Sequence, residues 1–232
     1  MNKSYINWKE WDFKTFGQVS PLEAVYYQNI LNLLEFNNHA KALEIGYGNG
    51  SFLGFMSRKN FDITGIELNR DLVDLAKKSN FKVYESLKNL ASDASFEFIF
   101  LFDVLEHIPS NEVEKFLKEI KLYLAGNGRI FLRFPNGASP LGLENQNGDV
   151  THCNVVTIPK LNYWCSNLNL QVTFFRGDIR PFIFRHNLTK MPSRVLRKLL
   201  YFFAEKLVRF ISIQSRGILS SNLEVIVSKN EN

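Results

Sequence analysis

Along this chain the spacing of apolar residues switches repeatedly between a helical and an extended period, and each switch marks an element. Leu22, Val25, Tyr26, Ile30, Leu33 and Leu34 fall on one face at helical spacing. Ser20-Pro21-Leu22-Glu23 opens that face with a capping box and a proline at the first helical position, which predicts a helix from Pro21 to about Phe36. Lys41 to Ile45 reads as a short buried strand, Ser51 to Arg58 as a helix, and Ile63 to Ile66 as a second strand. Asn69 is placed to cap a helix over Arg70 to Ser79, and Phe81 to Tyr84 predicts a third strand. Phe96 to Phe102 is almost wholly apolar, the mark of a central parallel strand covered on both faces.

The second half continues the alternation. Pro109-Ser110-Asn111-Glu112 opens a helix that turns Val113, Phe116, Leu117, Ile120 and Leu124 inward and stops at Gly126 and Gly128. Arg129 to Phe134 reads as a fifth strand and Leu170 to Phe175 as a sixth, with a helix capped by Thr157 between them. Asn222 to Ser228 is the last strand. Strands and helices alternating at this spacing imply right-handed crossovers and an α/β doubly wound sheet, whose ligands sit at the carboxyl ends of the strands. Pro135 to Val156 is longer than a simple connection needs and is rich in Gly, Asn and Pro, the mark of a functional or disordered loop.

The expected organisation is one domain: an aromatic arm and helix over 1–38, a core over 39–179, a helical insertion over 180–217, and a final strand and tail over 218–232. In 192–213 the insertion repeats Leu196, Leu199, Leu200, Phe203, Leu207, Phe210 and Ile211 at helical spacing, beside Arg194, Arg197, Lys198, Lys206 and Arg209. Such a basic amphipathic helix covers the protein's own sheet, joins a second copy in a homodimer, or lies peripherally on an anionic membrane. The arm, with Tyr5, Trp8, Trp11, Phe13 and Phe16, is expected to pack aromatics onto the domain, with a lid over the ligand as the alternative.

Bulk properties narrow the setting. The net charge of +5 is lopsided: residues 176–232 hold eleven of the 28 Lys and Arg but only four of the 23 Asp and Glu. No nucleic-acid-binding module is recognisable, so a nucleic-acid partner is not expected. The amino terminus lacks an export-type apolar run and no stretch approaches a membrane span, which predicts a cytoplasmic protein, peripheral at the inner membrane face if the basic helix binds lipid. Cys153 and Cys165 have no metal-motif spacing and are expected as free thiols.

The candidate chemistry centres on Ala42 to Gly50, Ala-Leu-Glu-Ile-Gly-Tyr-Gly-Asn-Gly. Glycines at 46, 48 and 50 turn a strand directly into a helix, let backbone approach a ligand, and aim the helix amino end at it. Glu67 ends the next strand, where a carboxylate can accept both hydroxyls of a ribose; glycine turn plus acidic tip indicates adenosine. The dinucleotide spacing would need glycine at Ser51, and Glu44, inside the strand, suits a cationic or amino-bearing ligand better than a pyrophosphate. S-adenosylmethionine meets both conditions.

This pattern resembles the class I S-adenosylmethionine-dependent methyltransferases. The resemblance continues through Gly65-Ile66-Glu67-Leu68-Asn69, Phe102-Asp103-Val104-Leu105-Glu106-His107-Ile108 and Gly128 to Asn136, covering most of residues 40–175. It implies a Rossmann-like, seven-stranded, mostly parallel sheet with helices on both faces, the last strand running antiparallel between the fifth and sixth. It also implies that the product is S-adenosylhomocysteine, that Gly46, Tyr47, Gly48 and Gly50 contact the methionine portion, and that Glu67 and Leu68 lie at the ribose. Glu85 and Ser86 would lie at the adenine, and Asp103 and Val104 would border the donor. Pro135 to Pro140 followed by Gly148-Asp149-Val150-Thr151-His152 is similar to methyltransferases of bacterial surface-polysaccharide and lipopolysaccharide biosynthesis, which implies a saccharide or glycan acceptor.

Methylating a hydroxyl requires its proton to leave, and histidine is the usual base near neutral pH. His39 and His186 lie away from the expected cleft. His152, three residues after Asp149 in the acceptor segment, is the first candidate base, with Asp149 orienting it; His107, beside Glu106 at the tip of the fourth strand, is the second. Asp149 and His152 could instead hold a divalent ion, but no third ligand stands out in the sequence and no metal is expected. Small-molecule methylation of a quinone-like or amine substrate, in a more apolar pocket, and a non-catalytic adenosine-binding module are the alternatives.

Overall fold

The computed structural model describes residues 9, 13–178, 202, 203, 206, 207, 210 and 218–230. Seven strands form one sheet in the order β3-β2-β1-β4-β5-β7-β6. They are β1 (Lys41–Ile45), β2 (Asp62–Ile66), β3 (Val83–Tyr84), β4 (Phe96–Phe102), β5 (Leu124–Pro135), β6 (Leu170–Gly177) and β7 (Asn222–Lys229). β1 to β5 pair in parallel; β7 runs antiparallel between β5 and β6, as the resemblance implied. The helices are α1 (Pro21–Leu33), α2 (Ser51–Arg58), α3 (Arg70–Lys78), α4 (Val113–Lys121), α5 (Leu143–Asn147) and α6 (Ile158–Ser166).

Alternation along β4 divides the core by chemistry. Ile99 and Leu101 face α4 and α6, where Val113, Leu117, Ile120, Leu161 and Trp164 complete a mainly aliphatic layer. Phe98, Phe100 and Phe102 face the other way; Phe98 and Phe100 join Tyr27, Phe52 and Phe55 in an aromatic layer under α1, α2 and α3, and Phe102 packs against it. The rings of Phe100 and Phe102 stack at 6.2 Å. Two dry layers fix the register of β4, so the residues just past its tip, Asp103 to His107, are held at a defined height above the sheet.

Local signals explain the element ends. Ser20 and Glu23 close the expected capping box at the start of α1, and the Asn69 and Thr157 side chains cap α3 and α6. Among the boundaries that differ from expectation, three have a visible cause. α1 ends at Leu33 rather than Phe36, because Phe36 instead packs its ring on Phe61 and Phe98. Residues 81 and 82 precede β3, with the Phe81 ring edge-on to Phe16. Leu124 opens β5 instead of extending α4: it pairs with Phe96, while Phe98 pairs with Arg129, so Gly126 and Gly128 lie in a bulge within the strand rather than stopping a helix.

Most of 180–217 lies outside the described residues. Of the described residues in 192–213, Phe202, Phe203, Leu207 and Phe210 are 51%, 63%, 57% and 88% exposed, so these four side chains do not cover the protein's own sheet. No helix among the described residues is long and apolar enough to cross a membrane.

Candidate active site

A cleft of about 980 Å³ opens at the carboxyl ends of β1, β2 and β4, where a doubly wound sheet places its ligands. Its two halves are built differently.

The first half is the glycine turn. Gly46, Gly48 and Gly50 have φ of 73°, 53° and 72°, a conformation that strains any residue with a β-carbon. A side chain at Gly46 would in addition strike Val104 across the turn. Glu67 braces this turn: one carboxylate oxygen accepts the Gly48 N–H at 3.2 Å and the other the Asn69 N–H at 3.0 Å. Burial pushes the Glu67 carboxyl above the usual carboxylate range, against these amides. Glu44 is 3% exposed, with one carboxyl oxygen lacking any hydrogen-bond partner, and burial together with the nearby Glu67 charge pushes it up to about 8. A buried carboxyl oxygen without a partner beside three positive-φ glycines could be satisfied by a ligand ammonium, as a sulfonium amino acid cofactor carries.

Among the residues expected to contact the cofactor, Glu44, Gly46, Tyr47, Gly48, Glu67, Leu68, Ser86, Asp103 and Val104 all line the cleft. Two do not. Gly50 faces the arm, where a β-carbon would lie 2.7 Å from the Phe16 ring, so its missing side chain makes room for Phe16 rather than for ligand. Glu85 points outward to Arg70, at 3.4 Å. The Asp103 carboxylate is committed to Arg133, which also lies over the Tyr26 and Phe102 rings. Arg133, Asn49, Ser51 and Tyr27 line the cleft without having been expected there. A strand arginine and a helix tyrosine carry no local motif, and only the fold directs them here.

The second half joins three distant segments. Cys153 and Asn154 donate backbone N–H groups to the Glu106 carbonyl at 2.9 and 3.1 Å, and the Asn154 side chain donates to the Leu105 carbonyl, fastening the long loop to the tip of β4. Glu106, His107, Asp149 and His152 thereby converge. His152 Nε2 lies 3.7 Å from Asp149 and 4.0 Å from Glu106. The His107 and His152 ring centroids are 4.6 Å apart. From the arm, Lys9 reaches Asp149 at 2.7 Å.

Hydrogen bonds settle how these groups present themselves. The Thr151 hydroxyl donates to Asp149 at 2.6 Å, so its oxygen, 3.0 Å from His107 Nδ1, accepts the proton on that nitrogen. His152 Nδ1 faces the Gln146 carbonyl at 3.0 Å, which can only accept. Both imidazoles therefore turn Nδ1–H into the protein, so Nε2 is the nitrogen each leaves for a ligand. Although burial opposes its charge, hydrogen bonds from Lys9 and Thr151 hold Asp149 down at about 2, a carboxylate at any physiological pH. Burial, then the neighbouring His152, pushes His107 below its ordinary value, favouring the neutral ring. Glu106 is fully buried with no hydrogen bond to either carboxyl oxygen, and burial followed by the Asp103 charge pushes it well above the carboxylate range. The sequence pointed to Asp149 and His152 as a pair, but Lys9, Thr151 and Glu106 as their partners depend on tertiary contacts. Glu106 also supplies the third metal-type ligand that spacing alone did not reveal. Cys153 and Cys165 are free thiols, as expected.

Comparison with known proteins bears directly on this cleft. A family model described as a methyltransferase domain matches residues 20–173, taking in every element from α1 to the first half of β6. The chain belongs to that methyltransferase family. It is an S-adenosylmethionine-dependent enzyme. Among solved structures it resembles a SAM-dependent methyltransferase from Archaeoglobus fulgidus, with 18% identity, 99% of this chain and 100% of the other covered, and a TM-score of 0.64. It resembles the plantazolicin methyltransferase BpumL bound to S-adenosylhomocysteine, with 19% identity, 98% and 88% coverage, and a TM-score of 0.58. A methyltransferase from Haloferax volcanii, solved with its Trm112 activator, aligns at 12% identity over 99% and 98% with a TM-score of 0.65. At these identities the likeness is one of fold.

In this methyltransferase the bound cofactor supplies an electrophilic methyl group, already activated by its sulfonium charge. What is left to the chain's own residues is to bring a nucleophile into line behind that methyl. Of the residues lining the cleft, Gly46 and Gly48 could hold the cofactor by backbone, Glu44 could take its amino group and Glu67 its ribose.

Proposed function

We propose that the enzyme transfers the methyl group to a hydroxyl of a saccharide or lipid-linked glycan, with Glu106, His107, Asp149 and His152 as the acceptor end of the cleft. The observation that carries this reading is the pair of imidazoles, each held through Nδ1, that line the same cleft as the glycine turn. A hydroxyl entering there meets lone pairs able to draw off its proton as its oxygen attacks the methyl group. A quinone-like acceptor would want an apolar wall, whereas this end carries Lys9, Glu106, His107, Glu144, Asn145, Asp149 and His152. Hydroxyl-rich ligands match so many fixed donors and acceptors.

The similarity of residues 135–152 to surface-polysaccharide methyltransferases supports the glycan, as does the basic carboxy-terminal quarter, which attracts a phosphate-bearing or membrane-held acceptor. Exposed Phe202, Phe203, Leu207 and Phe210 beside Lys206 give that quarter a surface able to enter an anionic lipid interface. The test is methyl transfer from labelled S-adenosylmethionine to total cell polysaccharide and to lipid-linked intermediates. Label in acid-stable O-methyl sugar is the expected result. Label appearing only in small aromatic or amine metabolites would replace the glycan reading with the small-molecule one.

A further inference from the structure

We propose that Glu106, His107 and His152 bind a divalent transition-metal ion at the acceptor end of the cleft. One ligand atom from each of the three lies within 4.8 Å of the other two. Glu106 is the independent observation: its side chain is fully buried in this cluster, and neither carboxyl oxygen has a hydrogen-bond partner. A carboxyl group in that position without a donor is costly unless a cation completes it.

The surroundings are those of prepared ligands. Each imidazole is turned by an outer hydrogen bond, His107 Nδ1 to Thr151 and His152 Nδ1 to the Gln146 carbonyl, leaving both Nε2 atoms free to coordinate. Asp149, engaged by Lys9 and Thr151, stands 3.7 Å from His152 Nε2 and adds negative charge behind the site. Two nitrogens with one carboxylate suit zinc and its transition-metal neighbours rather than magnesium, which prefers an all-oxygen shell. Metal–donor distances of about 2.0–2.2 Å require the three side chains to draw together by roughly an ångström, within rotamer adjustment. Three protein ligands leave a coordination position open to the cleft.

This inference rests on the methyltransferase reading and gives its acceptor step a different route: with both imidazoles on the ion, the metal rather than a histidine base activates the hydroxyl. The ion would polarise a hydroxyl entering the open position, whose proton passes to solvent while its oxygen takes the methyl group and the C–S bond breaks to leave neutral S-adenosylhomocysteine.

The experiment is calorimetric titration of Zn²⁺, and of Co²⁺ followed by visible absorption, into the full-length protein stripped with chelator, with S-adenosylhomocysteine affinity measured on the same samples. One equivalent of metal is expected. His107→Ala, His152→Ala and the isosteric Glu106→Gln should each weaken metal binding at least about 100-fold while cofactor-product affinity stays unchanged, and His39→Ala should alter neither. Absent metal uptake, or uptake indifferent to Glu106→Gln and His152→Ala, overturns the metal site. If S-adenosylhomocysteine nevertheless binds and turnover survives excess chelator, the methyltransferase reading stands without the metal. Failure of S-adenosylhomocysteine to bind the wild type would instead strike the reading on which this site rests.

Discussion

The cofactor half and the acceptor half of the cleft use the same sheet edge by opposite means. The cofactor half is made mainly of backbone: three positive-φ glycines within five residues, braced by one carboxylate that accepts the Gly48 and Asn69 amides. The acceptor half is made of side chains from the arm, the tip of β4 and the long loop, none of which is near the others in sequence. A backbone site is stiff and tolerates little. A side-chain site can be re-cut for another acceptor by changing a few residues on a loop, which is how one fold serves many substrates.

The comparison predicts separable failures. The largest concerns His152→Ala, which should lower turnover by about 10²–10⁴-fold while S-adenosylhomocysteine affinity measured by calorimetry stays within about twofold. Equal losses of both would show that the halves are not independent. Glu67→Ala should do the reverse. With the Gly48 and Asn69 amides left unpaired and a ribose acceptor gone, cofactor affinity should fall by roughly 30–1,000-fold, the equivalent of about 2–4 kcal/mol. Unchanged affinity would remove Glu67 from the cofactor site.

Glu44 sharpens the contrast through pH. Its folded-state value, up to about 8, lies above that of an unfolded carboxyl, so its contribution to stability is full below about pH 4 and is lost as pH rises through 8. Without cofactor, the unfolding free energy of the wild type should therefore decline between pH 5 and 8 relative to Glu44→Gln, by at most about 1.4 kcal/mol per pH unit. The same variant should bind S-adenosylmethionine more weakly, since a neutral amide cannot pair with its ammonium. Parallel melting curves across that range would show that Glu44 is not a buried acid.

Smaller again is Thr151→Val, which cuts the link between His107 and Asp149 but touches no reacting atom. Turnover should drop about 3–30-fold, with a shifted pH profile and no change in cofactor affinity. An unchanged pH profile would make Thr151 merely structural.

What could be read from the sequence divides along the same line. The glycine turn, Glu44 and Glu67 are legible because backbone sites leave local signatures: a strand, glycines at fixed spacing, and an acid one strand away. β4 was likewise written in an apolar run and β7 in the alternation of Leu223, Val225 and Val227, while the antiparallel placement of β7 came from the family resemblance. Gly50 shows the limit of such reading, since its glycine serves Phe16 of the arm rather than a ligand, a packing relation that no motif encodes. Gly126 and Gly128 mark a bulge in β5, because a glycine pair reads alike whether it ends a helix or kinks a strand. His107 and His152 were visible as candidates, but not the Thr151, Glu106 and Lys9 contacts that give them their form, which exist only once the loop folds back on the tip of β4.

The most direct test of this division is a crystal structure of the protein soaked with S-adenosylhomocysteine. The product should lie along Gly46 and Gly48 with its ribose at Glu67 and its amino group at Glu44. Its sulfur should face Glu106, His107 and His152, leaving those side chains uncovered for an acceptor. Product bound with its sulfur turned away from the histidines, or a cleft that stays empty at saturating product, would contradict the account.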